Sequence, residues 1–192
     1  MDGTSRLGPK NKWVHSPGVS LRYNVSEENF FKPWRETVSL LSLRASWGIN
    51  GKAPSADYLF YSTYNTSAGS YGNGNNTFTV ASIDGLKLDD LRWEKTTSVN
   101  LGFNLGMFND RVEVDFDWYT KNTKDLLMTG VKIPSTTGYS SLSYANVGKM
   151  NNEGWELNVS GKRLIKFGKF SMDASINVAQ NFNEIKEMDQ RV

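Results

Sequence analysis

The feature of this sequence that most restricts its fold is a two-residue alternation of apolar with polar or small side chains in six separate segments. In one segment Val99, Leu101, Phe103 and Leu105 alternate with serine, asparagine and glycine. Successive side chains of a β-strand point to opposite faces, so the pattern predicts strands with one apolar and one polar face. The predicted strands cover about 12–25, 38–50, 95–107, 111–123, 153–164 and 169–181.

The connections between the predicted strands alternate between short and long. Short turns are expected at Asn109–Asp110 and near 166–168, and residues 26–37 have room for a helical turn capped by Ser26. Long loops are expected at about 51–94 and 124–152. Up-and-down outer-membrane barrels have short turns at one end and long loops at the other. The sequence therefore predicts an all-β fold of antiparallel up-and-down strands, forming about six strands of a large transmembrane β-barrel.

Hydropathy excludes a helical membrane protein but not a barrel. No apolar run approaches the roughly 18 residues that a membrane-spanning helix needs. The mean hydropathy is −0.50, which is typical of soluble proteins. Barrel strands alternate lipid-facing with lumen-facing residues, and this alternation dilutes their hydropathy to a similar value. A soluble β-sandwich with one wet face stays open as the alternative fold.

Composition removes several classes of function. The 22 basic and 20 acidic residues give a net charge of +2 without a basic block, so no nucleic-acid partner is expected. Cysteine is absent, which excludes disulfides, thiolate metal sites and a cysteine nucleophile.

The charged residues of the predicted strands share the parity of the polar side chains. An arginine or lysine facing lipid near the bilayer centre would cost about 2–4 kcal/mol, so a barrel requires this arrangement. We therefore predict that the charged side chains on this face point into the barrel lumen. These residues are Arg22, Arg44, Glu113, Asp115, Asp117, Glu156 and Asp173, and Lys162 has the same parity.

No catalytic arrangement is expected. The carboxylates of Glu113, Asp115 and Asp117 lie on one strand face and could form a glycosidase pair, but a hydrated pore lining explains them better. The single histidine, His15, excludes a multi-histidine metal site. No cofactor is expected, although loop aspartates could hold a structural calcium ion. Those aspartates are Asp84, Asp89 and Asp90.

Several local motifs follow one another along nearly the whole chain. One is the segment Leu43–Gly51, which continues into Lys52, and the others are 2–6 with 12–13 and 16–20, 26–31, 91–97, 119–127 and 146–156. In this order they resemble motifs of SusC-like TonB-dependent outer-membrane transporters. The segment Leu43–Gly51 is close to that family's pattern Leu-Arg-x-Ser-Trp-Gly-x-x-Gly-Asn, with Lys52 where asparagine is commoner.

The resemblance implies a fold and a set of partners. It implies a plugged barrel of about 22 strands, of which residues 1–192 supply about six, without the plug domain, TonB box or signal peptide. It further implies import of oligosaccharides or peptides across the outer membrane of a Gram-negative, Bacteroidetes-type bacterium. The implied partners are the remaining barrel and plug, a SusD-like surface lipoprotein that acts as a lid, TonB, and membrane lipid.

Aromatic side chains in the two long loops are candidate contacts for the substrate or the lid, because they can stack on sugars or pack against peptides. They are Tyr58, Phe60, Tyr61, Tyr64, Tyr71, Tyr139 and Tyr144. Bracing of one loop against another is the simpler role for most of them. The tryptophans at 13, 47, 93, 118 and 155 are expected to be membrane-interface anchors near strand ends. The alternative function is a soluble carbohydrate-binding β-sandwich module, in which loop aromatics would form a glycan platform.

Overall fold

The largest element among the described residues is one six-stranded sheet, accompanied by three short hairpins. The computed structural model describes residues 1–70, 77–83, 85–139, 141–168 and 170–188. Three 3₁₀ helices cover Val25–Glu27, Asn29–Trp34 and Ser135–Thr137. The strands are β1 (Asp2–Gly3), β2 (Trp13–Val14), β3 (Gly18–Asn24), β4 (Val38–Lys52), β5 (Tyr64–Ser70), β6 (Thr77–Ile83), β7 (Glu94–Met107), β8 (Val112–Lys124), β9 (Leu127–Lys132), β10 (Ser141–Asn146), β11 (Gly148–Phe167) and β12 (Phe170–Met188).

The six long strands follow one another across the sheet in chain order. The order is β3-β4-β7-β8-β11-β12, and each neighbouring pair is antiparallel. This is an up-and-down meander, as the alternation of connection lengths predicted. The predicted all-β class of antiparallel up-and-down strands is therefore confirmed.

The two predicted long loops contain strands of their own. Within 51–94, β5 pairs with β6, and within 124–152, β9 pairs with β10. The segment Ser67–Ser70, expected to be loop because of its small polar residues, lies in β5. The sequence of β6, Thr-Phe-Thr-Val-Ala-Ser-Ile, alternates over its first four residues and carries β-branched residues, and both features favour a strand.

Three strand boundaries differ from the expectation by about five residues or more. The first long strand begins at Gly18 rather than at about 12, because Trp13 and Val14 pair with Gly3 and Asp2 instead. The strand β11 begins at Gly148 rather than 153, and β12 continues to Met188 rather than 181. The polar residues at these ends do not alternate, but backbone hydrogen bonding between β11 and β12 extends to the pair Gly148↔Met188. Backbone pairing therefore sets these boundaries.

The short connections meet at one end of the sheet. The β7–β8 turn has Phe108, Asn109 and Asp110 at φ of 54°, 56° and 60°. Asparagine and aspartate tolerate this left-handed region, and the N–H of Phe108 is held by the carbonyl of Thr37 at 2.8 Å. The expected cap at Ser26 is wrong, because Ser26 lies inside the 3₁₀ helix Val25–Glu27, and that helix has no side-chain cap. No helix among the described residues combines the length and apolar character needed to cross a membrane.

The strand register separates apolar from polar side chains across all six strands. One row across the sheet is apolar and consists of Tyr23, Leu43, Phe103, Phe116, Leu157 and Val178. The adjacent row on the opposite face consists of Arg22, Arg44, Gly102, Asp117, Glu156 and Ala179. A shift of one residue in any pairing would mix the two rows, so the alternation in the sequence specifies the register.

The apolar face of this sheet is uncovered by any described part of the chain. Leu21, Leu101 and Ile176 are 69%, 48% and 66% exposed. The buried apolar cluster instead lies beyond the sheet, at the end opposite the short turns, and contains Leu7, Val14, Leu91 and Trp93. A β-sandwich would bury its inner sheet faces against each other. The described residues do not form that two-sheet core, which counts against the alternative fold.

Candidate functional site

The long connections and the N-terminal segment pack together at one end of the sheet, in a cluster that we call the end cap. Its core consists of Leu7, Val14, Leu91 and Trp93, with partly buried side chains packed around it. Those surrounding residues are Ala53, Leu59, Leu88, Leu127 and Tyr144. The end cap therefore joins the N-terminal segment, the β4–β7 connection and the β8–β11 connection.

A glycine at the end of β4 allows this packing. A Cβ on Gly51 would lie 2.9 Å from Cγ1 of Val14 and 3.1 Å from the Trp93 ring. Any side chain there would displace one of the two core residues. The last residue of the Leu43–Gly51 motif is thus a close-approach position.

A second pair of motifs meets through one asparagine. The Asn146 side chain accepts a hydrogen bond from the N–H of Arg92 at 2.8 Å and donates to the carbonyl of Arg92 at 3.0 Å. It also donates to the carbonyl of Asp125 at 2.8 Å. The side-chain amide thereby imitates a β-strand partner for a segment 54 residues away. This contact ties the β4–β7 connection to the β8–β11 connection.

Glu94 also stabilises the contact between the β4–β7 connection and the β8–β11 connection. It is 7% exposed, its carboxylate accepts the N–H of Leu127 at 3.0 Å, and Lys52 lies 3.6 Å away. Two partners satisfy this buried charge, as buried carboxylates require. Sequence reasoning placed Glu94 and Asn146 in motifs without assigning them a role. The sequence feature that indicates such a role is a polar residue at a strand boundary within each motif.

Replacing Asn146 should loosen the end cap without disturbing the sheet. Asn146→Ala removes three hydrogen bonds, which we expect to cost about 1–2 kcal/mol of local stability because the site is partly exposed. Amide hydrogen exchange of residues 126–147 in the full-length protein should accelerate, whereas Asn158→Ala on an exposed strand position should leave it unchanged. Equal exchange in both variants would contradict the clamp.

Three of the seven candidate loop aromatics lie together. Ring centroids are 4.2 Å apart for Phe60 and Tyr61 and 6.5 Å apart for Tyr58 and Tyr61. Tyr58 is 68% and Tyr61 57% exposed, whereas Phe60 is half-buried. These rings line a cleft of about 570 Å³ together with residues of the N-terminal segment. We call it the aromatic cleft, and it is lined by Ser5, Leu7, Pro9, Lys12, Asp57, Tyr58, Phe60 and Tyr61.

The other candidate aromatics lie elsewhere. Tyr144 packs against the core of the end cap, and its hydroxyl is 2.6 Å from Oγ of Ser55, so it braces two loops. Tyr64 is exposed at the start of β5, and Tyr139 is half-buried just after the third 3₁₀ helix. Tyr71 lies outside the described residues.

The polar face of the sheet holds an ion pair across an intervening strand. Arg44 on β4 reaches Asp117 on β8 at 2.9 Å, although β7 lies between them. The β7 residue in that row is Gly102, and a Cβ there would collide with the Asp117 carboxylate. The missing side chain therefore creates the space in which the two charges meet.

Several of the remaining candidate charges also have polar partners. Lys162 lies 2.6 Å from Glu113, Asp115 accepts a hydrogen bond from the side chain of Asn104, and Asp173 accepts one from the N–H of Arg163 at 2.6 Å. Register and alternation place all of the charges predicted to face the lumen on this one face. The three neighbouring carboxylates of β8 are each bound to a different group, which does not favour a catalytic carboxylate pair.

Comparison with known proteins supplies the family. Residues 2–189 match the family model described as TonB dependent receptor-like, beta-barrel. The chain belongs to the TonB-dependent receptor β-barrel family.

Relatives of this receptor segment include TonB-dependent receptor P39 of Formosa agariphila, 37% identical over 97% of the chain and 17% of the relative. SusC of Bacteroides thetaiotaomicron, a TonB-dependent receptor, is 33% identical over 97% of the chain and 18% of the relative. A solved structure of the RagAB peptide importer superposes with a TM-score of 0.83 at 28% identity, covering 97% of this chain and 20% of that one. The chain thus spans about a fifth of the proteins it matches, and the resemblance to SusC-like proteins is confirmed.

Two further expectations for the receptor segment concern tryptophans and metals. Trp93, expected to be an interface anchor, is 8% exposed and belongs to the end-cap core, because the segment before β7 folds back over Gly51.

Within the described ranges no group of three or more histidine, aspartate or glutamate residues could hold a metal ion. Asp89 pairs with Lys87 at 2.9 Å, and Asp84 lies outside the described residues, so structural calcium stays a prediction.

Proposed function

We propose that this chain is part of the barrel wall of an outer-membrane active importer that takes up oligosaccharides or peptides with energy relayed by TonB. The observation that carries the proposal is a band of apolar side chains on one face of the six-stranded sheet, which no described part of the chain covers. The band includes the row Tyr23, Leu43, Phe103, Phe116, Leu157 and Val178, which crosses all six strands. A surface of this kind suits hydrocarbon, since membrane barrels present apolar residues outward. Membership of the TonB-dependent receptor family supports the same function.

The proposed orientation follows from the two faces and two ends of the sheet. The apolar face contacts lipid, and the face with Arg22, Arg44 and Asp117 lines the lumen. The end with the β7–β8 and β11–β12 turns lies in the periplasm, and the end cap lies outside the cell. The loop aromatics are then placed where cargo and a lid would approach.

The proposed partners follow from the edges and the family. The outer edges of β3 and β12 have no neighbour among the described strands, and open edges of this length need further strands. The remaining barrel of the same receptor supplies them, and its plug fills the lumen. The relative named SusC and the RagAB structures support a SusD-like lipoprotein lid as a further partner. The segment has no catalytic role in this scheme.

Uptake by cells that carry the full-length receptor tests the proposal. Fluorescent oligosaccharides and oligopeptides should accumulate in the periplasm of receptor-bearing cells, and deletion of TonB should abolish accumulation. Affinity purification from detergent-solubilised outer membranes should recover a lipoprotein in stoichiometric amount. Accumulation that is independent of TonB, or a receptor that is folded and monodisperse in detergent-free buffer, would contradict the importer.

A further inference from the structure

We propose that the aromatic cleft is a saccharide-binding subsite, formed by the N-terminal segment and residues 57–61 of the β4–β7 connection. The inference rests on the proposed import function and goes further by assigning a ligand class to one place in the end cap. Its volume of about 570 Å³ lies within the roughly 300–1,000 Å³ of small-molecule sites.

The aromatic segment is held in place before any ligand arrives. The Arg6 guanidinium lies 2.8 Å from the Asp57 carboxylate and donates to the carbonyl of Pro54 at 3.3 Å. The carbonyl of Leu59 accepts the N–H of Leu88 at 3.0 Å, and its side chain packs against the end-cap core. Anchoring on both sides of Tyr58 reduces the entropy that binding would otherwise remove.

The backbone presents its aromatic rings outward. Tyr58 has φ of 60°, a conformation that bulky residues rarely adopt. The N–H of Tyr61 donates a hydrogen bond to the carbonyl of Tyr58 at 2.9 Å, which closes a turn. Strained residues of this kind gather at functional sites. Phe60 lies behind the exposed tyrosines and close to Gly8. A Cβ added to Gly8 would lie 3.6 Å from the Cβ of Phe60. The result is a rigid tyrosine surface backed by packed atoms.

The polar groups around the rings suit hydroxyl-rich ligands. Asp57 offers carboxylate oxygens that accept hydrogen bonds, Lys12 offers ammonium protons, and Ser5 offers a hydroxyl that can do both. A pyranose ring has an apolar C–H face and a rim of hydroxyls. Aromatic rings beside mixed donors and acceptors match both of these surfaces.

A peptide fits the cleft less well. One common way in which extended peptides bind is by adding a strand to a free sheet edge, with side-chain pockets giving specificity. The residues lining the cleft all lie outside strands, so the cleft offers no ladder of backbone groups. Strand addition therefore cannot hold a ligand in the cleft, and the exposed tyrosines beside mixed polar groups favour the saccharide.

The test uses the full-length receptor in detergent, probed on an array of defined oligosaccharides and on a matched array of random hexapeptides. We expect oligosaccharide binding by the wild type. Tyr58→Ala and Tyr61→Ala should each weaken the affinity about tenfold, and Tyr58→Phe should weaken it less because the ring remains. Phe30 provides the control, because it is 66% exposed and lies beside the short turns, far from the cleft. Phe30→Ala should have no effect on the affinity for oligosaccharides. Because both tyrosines are exposed, the variants should fold normally, which unchanged heat-modifiable migration on gels would verify.

The outcomes separate this proposal from the import function. If TonB-dependent uptake persists and the tyrosine variants bind saccharides as tightly as the wild type, the subsite is overturned while import stands. Binding of hexapeptides alone, lost in the tyrosine variants, would overturn the saccharide assignment. Absence of any TonB-dependent uptake would overturn the import function itself.

Discussion

Replacing Leu157 by arginine in the full-length receptor should lower the free energy of unfolding in a bilayer, and hence the stability, by about 2–4 kcal/mol. Leu157 lies at the middle of β11 and in the apolar row that also contains Phe116 and Val178. In the proposed barrel wall, an arginine there would face hydrocarbon, where its charge has no partner. The amount of receptor assembled in the outer membrane should fall accordingly.

The adjacent residue provides the control. Asn158 is exposed on the polar face, opposite Asp115 in the β8–β11 register. Asn158→Arg should leave the folding free energy nearly unchanged, because the new charge meets water and a carboxylate. Urea titration of the two variants in lipid vesicles measures the difference. Equal effects at 157 and 158 would show that lipid does not contact the apolar face.

Replacing Gly102 by alanine should destabilise the sheet by about 1–3 kcal/mol, although alanine usually stabilises a strand relative to glycine. The added Cβ would lie 2.7 Å from the carbonyl oxygen of Phe116 and would collide with the Asp117 carboxylate. The backbone of β8 must shift, and Asp117 must release Arg44. Arg44 and Arg22 are directly paired in the β3–β4 register, so their repulsion would then be less compensated.

A matched glycine and a double-mutant cycle test this explanation. A Cβ on Gly48 would have no contact nearer than 3.5 Å, so Gly48→Ala should be neutral or stabilising by about 0.4–1 kcal/mol. Asp117→Asn alone should lower the free energy of unfolding of the receptor. In a variant that already carries Gly102→Ala, Asp117→Asn should have little further effect on this free energy. If the two losses of unfolding free energy add in the double variant, the effect of Gly102→Ala does not act through the ion pair. Urea titration in vesicles again provides the free energies.

The end cap brings together three of the sequence motifs. Gly51, Trp93 and Asn146 belong to three different motifs, and each contacts a distant part of the cap. The cap is the principal place where the described chain buries apolar side chains in the manner of a soluble protein. These motifs therefore support the packing of the loops on the barrel end.

Some features could be predicted because they depend only on neighbouring residues. A strand turns successive side chains to opposite faces, so Leu101 and Leu157 had to share one face with the other apolar residues. The turn at Asn109–Asp110 followed from residues that tolerate positive φ. The cleft residues were named as separate aromatics, but nothing local indicated that Ser5 and Lys12 would lie beside Tyr58.

The sequence by itself determined the two faces of the sheet and the order of its strands, because alternation and connection length are local properties. Only the tertiary structure decided that Trp93 is buried, that Gly102 makes room for Arg44 and Asp117, and that Asn146 clamps Arg92. Each of these contacts joins segments that are distant in the chain. The folded backbone brings such segments together, and neither composition nor periodicity specifies which side chains then meet.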